Sequence, residues 1–181
     1  FITTEYLNKL KALGVVVVVL GGWRWSTGDA ANNGPPFRPI VDNGIRVAMH
    51  SDGMQISTMR PWINIYYAVT GKNARGDLIN GGQQITREEA IRLYTADAGW
   101  FLRAEDRLGT IEEWKLADLV ELNDDYFNPG AVSDEEIRDI RSVLTIVDGK
   151  IVHDDLDGKK RKYWERDWRF MNRFYDVGHR R

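Results

Sequence analysis

Six residues, "VVVVVL" at 15–20, set the tightest limit on how this 181-residue chain folds. Valine is β-branched and stiff at χ1, and five in a row strongly favour extended backbone. The run has no polar alternation. It predicts a strand covered on both faces, the setting of a parallel sheet rather than of a half-solvated antiparallel one. Immediately before it, "TEYLNKLKAL" at 4–13 spaces Leu7, Leu10 and Leu13 at helical intervals, and Gly14 supplies the stop.

Beyond the valine run the chain has the order of a β/α crossover. "GGWRWSTGDAANNGPP" at 21–36 reads as a long polar loop, "FRPIVDNG" at 37–44 as a short helix, and "IRVAMHSD" at 45–52 as a second strand. Side chains alternate along a strand. Ile45, Val47 and Met49 therefore share one face, and Arg46, Ala48, His50 and Asp52 share the other. In a closed parallel barrel the larger apolar set would face the surrounding helices, leaving His50 and Asp52 together near the carboxyl end of the inner face. Alternation also places Ser51 opposite them, which argues against a Ser-His-Asp nucleophilic triad in "HSD".

Pro61 opens "PWINIYYAVTG", predicting a helix with proline in its first turn and Gly71 past its end. A loop, "NARGDLINGGQQ", leads to Thr86, which with Glu89 has capping-box spacing at the head of "TREEAIRLYTADAGWFL", a helix with Ala90, Leu93 and Tyr94 on one stripe. The character changes from Leu108. "LADLVEL" and the pair "VLTIV" and "KIV" read as short strands, the pair joined by Asp148-Gly149, a strong two-residue hairpin signal. Ser133 and Glu136 form a second capping box between them.

The tail is distinct. Residues 159–181 hold nine Lys or Arg against three Asp or Glu, a local charge of +6 in a chain whose formal net charge is −2. Trp164, Trp168, Met171 and Tyr175 recur there at helical spacing, predicting an amphipathic helix that docks on the body or on a second subunit. The expected division is residues 1–107 for β/α units, 108–155 for a β-rich segment and 156–181 for the basic aromatic helix.

Several classes of function fall away on composition. There is no cysteine, so disulfides, thiolate nucleophiles and cysteine-ligated zinc are excluded. The small negative charge gives no global reason to expect nucleic acid as a partner. The longest apolar run is far short of the ~20 residues that cross a bilayer, so no membrane role is expected and the cytoplasm is the expected compartment.

Five stretches in order, "GIRVAMHSDG" at 44–53, "PWINIYYAVTGKNARG" at 61–76, "QQITREEAIRLYTADAGWFL" at 83–102, "DRLGTIEEWKLADLVELN" at 106–123 and "IRSVLTIVDGKIV" at 140–152, give the chain its likeness. Over residues 1–155 it resembles the metal-dependent amidohydrolases, within them the YtcJ-like or amidohydrolase 3 group. The resemblance implies an α/β fold: the last part of a (β/α)8 barrel of the TIM type, plus the carboxy-terminal half of a small composite β-sandwich. Residues 15–20 would be the seventh barrel strand and 45–52 the eighth. One departure stands out, because the turn before "KLADLV" commonly carries Pro-Gly in the group and here reads Glu113-Trp114.

The resemblance further implies that Asp52 is the eighth-strand aspartate, which approaches the metal and takes a proton from metal-bound water. The chemistry is sound in itself, since a divalent ion, here expected to be one or two zincs, lowers the pKa of bound water towards ~7 and a nearby carboxylate can carry the proton to a leaving amine. Without that context Asp52 reads first as a strand-end aspartate capping the "SDG" turn. His50 is a candidate to line the substrate cavity, or a packed histidine. Trp23, Arg24 and Trp25, in the loop after the first strand, are candidates for an aromatic and cationic substrate wall, or for residues closing the barrel rim. Met54, Gln55 and Trp62 are weaker candidates, and Asp118 reads as structural.

A zinc site needs about three or four converging ligands. The chain has three histidines, His50, His153 and His179, with no His-x-His pair. A (β/α)8 barrel takes about 250 residues, and two β/α units are visible here. The expectation is thus a carboxy-terminal portion that lacks most of the metal ligands, beginning at Phe1 as a truncated or processed product, inactive alone and completed by the missing amino-terminal barrel or by another subunit. Its activity would be hydrolysis of non-peptide C–N bonds in a small-molecule substrate, and unpaired barrel strands would favour homo-oligomers. The competing expectation is a non-catalytic binding or interaction module, for which seven tryptophans supply an aromatic surface.

Overall fold

The computed structural model describes residues 3–20, 34–53 and 58–156. Helix α1 (Thr4–Ala12) starts on Thr3, whose hydroxyl accepts the Tyr6 N–H, and buries Leu7. Strand β1 (Val17–Leu20), helix α2 (Phe37–Asn43) and strand β2 (Val47–His50) come next, and β1 pairs β2 in parallel with Leu20 opposite His50. The β-α-β order holds, with both strands shorter than expected.

One expectation for β1 is corrected. Val19, Val47 and Met49 are buried on one face, but Val18, paired with Ala48 on the other, is 44% exposed. The unbroken valine run predicts cover on both faces; on the second face Ala48 is buried at 7% while Val18 beside it stays partly exposed.

Helix α3 (Pro61–Thr70) carries the centre of the core. Trp62, Asn64, Ile65, Tyr66, Tyr67 and Ala68 are all buried along it, and Gly71 ends it in the left-handed conformation. The capping box predicted for Thr86 and Glu89 is present: the Glu89 N–H reaches the Thr86 hydroxyl at 3.2 Å, and the Thr86 N–H reaches the Glu89 carboxylate at 2.8 Å. The helix it starts is two helices, α4 (Arg87–Tyr94) and α5 (Ala96–Phe101). Thr95 breaks the run: its hydroxyl donates back to the Ile91 carbonyl at 2.9 Å, competing with the backbone ladder. The chain then returns across α5 so closely that a Cβ on Gly109 would sit 2.9 Å from the Thr95 carbonyl oxygen, and one on Gly99 3.0 Å from that of Leu108.

Beyond this crossing, β3 (Leu119–Leu122), a 3-10 helix (Asp134–Asp139), β4 (Ser142–Val147) and β5 (Lys150–Asp154) complete the described chain. The three strands form an antiparallel sheet in the order β3-β4-β5. Asp148 and Gly149, both at positive φ, make the expected hairpin between β4 and β5, as a type I′ turn requires. Asp118 has the structural role read for it: its carboxylate accepts the Asp148 N–H at 2.7 Å and so holds that turn against the approach to β3. Trp114 sits at φ 72° and is 95% exposed, in a backbone conformation that favours glycine. No helix among the described residues is long and apolar enough to cross a membrane.

Candidate active site

Parallel pairing brings the carboxyl ends of β1 and β2 to one edge, where the segments beginning at 21 and 51 both depart. His50 is the last residue of β2 and is exposed. Asp52, also exposed, lies two residues later at φ 51°. That is the left-handed region, which aspartate tolerates better than most residues. The strand alternation that would place Asp52 on the face of His50 therefore stops at His50, because the backbone leaves the extended region before reaching the carboxylate. Gly53 then runs tight against its neighbours: a Cβ there would lie 2.7 Å from Cγ of Met59 and 3.0 Å from Oγ of Ser51. Trp23, Arg24 and Trp25 lie outside the described residues, as do Met54, Gln55 and the tail at 157–181.

The far end of this segment is firmly anchored. The Arg60 N–H donates to the Thr58 hydroxyl at 3.1 Å, and the Arg60 guanidinium donates to the Arg138 carbonyl in the 3-10 helix at 3.0 Å. Trp62, one of the weaker candidates, is buried in α3 with its ring 5.2 Å from that of Tyr126. Along α3 the Tyr66 hydroxyl donates to Glu135 at 2.9 Å, and Lys72 pairs with the same carboxylate. Burial and that hydrogen bond push the Tyr66 hydroxyl up to about 12, while the Lys72 ammonium and the tyrosine hydroxyl hold Glu135 below the usual carboxylate range. Asn64 donates to the Tyr94 hydroxyl at 2.6 Å. Burial pushes that hydroxyl up to about 12.

None of these supports is legible in the sequence. Arg60 and Arg138 are 78 positions apart and Tyr66 and Glu135 are 69 apart, and no local spacing links either pair. At the opposite end of β2, a groove of about 260 Å³ is lined by Ile45, Arg46, Arg92 and Asp97 among others, with the Arg46 guanidinium 4.6 Å from the Trp100 ring centre. Burial raises the Asp97 carboxyl there. This groove is remote from Asp52, and no motif in the sequence announces it.

The edge thus presents an imidazole and a carboxylate two residues apart. Among the described residues there is no group of three or more His, Cys, Asp or Glu side chains placed to hold a metal ion. Two donors fall short of the three or four a zinc centre takes, so the described residues do not fit a metal site by themselves. A single exposed carboxylate can, by itself, hold and release a proton.

Comparison with known proteins decides the family. A family model described as "Amidohydrolase family" matches residues 1–153. The chain belongs to the amidohydrolase family. Over 114 residues it is 30% identical to the N-substituted formamide deformylase of Arthrobacter pascens, a match that covers 63% of this chain and 20% of that protein. In fold it is similar to a triazine hydrolase from Arthrobacter aurescens, with a TM-score of 0.64 at 20% identity over 86% of this chain and 34% of that one. It is likewise similar to an amidohydrolase from Thermotoga maritima, with a TM-score of 0.59 at 19% identity over 83% of this chain and 34% of that one. An atrazine chlorohydrolase from Arthrobacter aurescens solved with zinc gives a TM-score of 0.59 at 17% identity, over 86% of this chain and 35% of that one. The chain therefore spans a fifth of the deformylase and about a third of each solved structure.

Proposed function

We propose that this chain is the carboxy-terminal part of a metal-dependent hydrolase that cleaves C–N bonds in small, non-peptide substrates. The observation that carries the reading is the placement of Asp52, an exposed carboxylate just past the carboxyl end of a parallel strand, in a member of the amidohydrolase family. That end of a β/α unit is where barrel enzymes build their sites. On this reading β1 and β2 are the final strands of a (β/α)8 barrel within residues 1–107, residues 108–155 belong to a composite β-sandwich, and 156–181 form a basic aromatic helix. The 44% exposure of Val18 supports it, because in a barrel that side chain turns inward among those of the other strands.

Asp52 takes a proton from the attacking water and returns it to the departing nitrogen, the ordinary work of a positioned carboxylate. His50, Trp23, Arg24 and Trp25 line the substrate side. The likeness to an N-substituted formamide deformylase supports a C–N bond as the target, and a zinc-bound structural neighbour supports a divalent ion. The remaining metal ligands come from residues beyond those described, in a longer protein or in a partner subunit.

The test is Asp52→Asn in a protein that joins this chain to a complete barrel, assayed on N-substituted amides. Asparagine tolerates φ 51° as aspartate does, so the backbone is undisturbed. The expected result is a fall in kcat of about 10²- to 10⁴-fold, with bound metal measured by emission spectrometry and thermal midpoint both retained. An unchanged kcat would remove Asp52 from the reaction.

A further inference from the structure

The β3 edge of the antiparallel sheet borders an apolar groove of about 380 Å³, lined chiefly by Leu102, Leu108, Ile111, Leu116, Leu119 and Val120. Ile111 is 88% exposed, Leu102 70% and Val120 55%. A contiguous apolar patch of this kind marks an interaction site rather than ordinary surface. Its rim is strongly acidic: residues 112–125 contain Glu112, Glu113, Asp118, Glu121, Asp124 and Asp125 against a single base, Lys115.

We propose that the chain's own tail, residues 159–178, docks in this groove as an amphipathic helix. Three features of the chain select this occupant. Trp164, Trp168, Met171 and Tyr175 fall at i, i+4, i+7 and i+11, one apolar stripe of a helix about 18 Å long, to set against the apolar lining. Lys159, Lys160, Arg161 and Lys162 then meet the acidic rim, pairing the most basic segment of the chain with one of its most acidic. The reach is also sufficient. The chain leaves the sheet at Asp154, which pairs with Leu144, itself paired with Glu121 of β3. Strands lie about 4.8 Å apart, so the exit is about 10 Å from β3, and residues 155–158, ahead of the docked helix, can span up to ~13 Å. Asp155 fixes that exit, its N–H donating to the Val143 carbonyl at 2.8 Å and its carboxylate pairing with Arg141 at 3.0 Å. A tether this short gives the tail a millimolar effective concentration over its own groove, which favours it over a second copy. The proposal does not depend on the catalytic reading of Asp52.

The experiment uses the full chain and the double variant Trp164→Glu with Trp168→Glu. Hydrogen exchange followed by mass spectrometry should show backbone amides of residues 108–122 exchanging about tenfold faster or more in the variant, with the β4–β5 hairpin unchanged as the control for folding. In the unaltered chain, carbodiimide should link Lys159, Lys160 or Lys162 to Glu112, Glu113 or Glu121, and mixing ¹⁵N-labelled with unlabelled protein should place those links within single chains. Equal exchange in the two proteins would overturn the proposal. So would links found only between labelled and unlabelled chains, which would make a second copy the occupant. If the double variant loses its far-ultraviolet circular dichroism, the cross-links of the unaltered chain decide: intrachain links to 112–121 uphold the proposal and their absence overturns it.

Discussion

In the parallel pair β1–β2, Val19, Val47 and Met49 are buried beneath helices, whereas no residue of β3, β4 or β5 is buried. The first sheet is stabilised by what packs on it, at roughly 25 cal/mol for each Å² of apolar surface removed from water. The second is held by its ladder and by polar ties at its ends: Asp118 to the Asp148 N–H, Asn123 to the Arg141 N–H, and Arg141 to Asp155. A sheet of this second kind carries its apolar side chains half out of water on both sides, and its stability depends on what it is fastened to.

One fastening is Arg87. It lies in the first turn of α4, is 7% exposed, and donates to the Tyr126 carbonyl at 2.6 Å, to the Val132 carbonyl at 2.7 Å and to Asp134 at 2.6 Å. The Tyr126 hydroxyl donates back to the Arg87 carbonyl at 2.8 Å. One guanidinium thus ties the segment between β3 and β4 to the helical layer. Arg87→Met keeps the bulk but leaves two carbonyls and a carboxylate without their donor, and should lower the unfolding free energy by about 3–5 kcal/mol in urea denaturation. A loss under about 1 kcal/mol would mean that apolar packing alone holds that segment, and the contrast between the two sheets would lose its link.

Two isoleucines test the contrast itself. Ile137, in the 3-10 helix packed against α3, is fully buried, while Ile151 of β5 is 62% exposed. Ile137→Ala should cost about 2–4 kcal/mol and Ile151→Ala less than about 0.5 kcal/mol, both from the midpoint of denaturant unfolding. Comparable losses at the two sites would show that the outer sheet is covered in solution, and the picture of a half-bare sheet would fail.

Local chemistry explains which parts of this were legible in the sequence. The hairpin at Asp148-Gly149, the capping boxes at Thr86 and Ser133 and the proline and glycine that bound α3 are each set by residues within four positions, so short spacing finds them. The break at Thr95 was not legible, because a threonine hydroxyl bonded to the carbonyl four residues back bends some helices without ending them. Nor was the buried role of Arg87, whose partners lie 39 to 47 positions away. At the candidate site, the sequence places Asp52 at a strand end but cannot place its carboxylate, since nothing in the local pattern announces the positive φ that turns the backbone there. The supports of the site, Arg60 on the Arg138 carbonyl and Tyr66 on Glu135, belong to the same class of long-range contact.

Trp114 offers the smallest effect and the finest test. A non-glycine residue in the left-handed region is strained by about 1–2 kcal/mol, and at φ 72° and 95% exposure the indole gains nothing from the described residues to offset it. Trp114→Gly relieves the strain while adding roughly 0.5–1 kcal/mol of unfolded-state entropy, so a net gain of about 0.5–1 kcal/mol in stability is expected from chemical denaturation of the full chain. The sign is what matters. If the substitution lowers stability instead, the indole is covered in solution by more than enough to outweigh its backbone strain. The apolar tail, which carries Trp164 and Trp168 and is proposed to lie along the neighbouring groove, is then the cover to test by repeating the substitution in the Trp164→Glu, Trp168→Glu background, where the loss should revert to the gain expected of an exposed tryptophan.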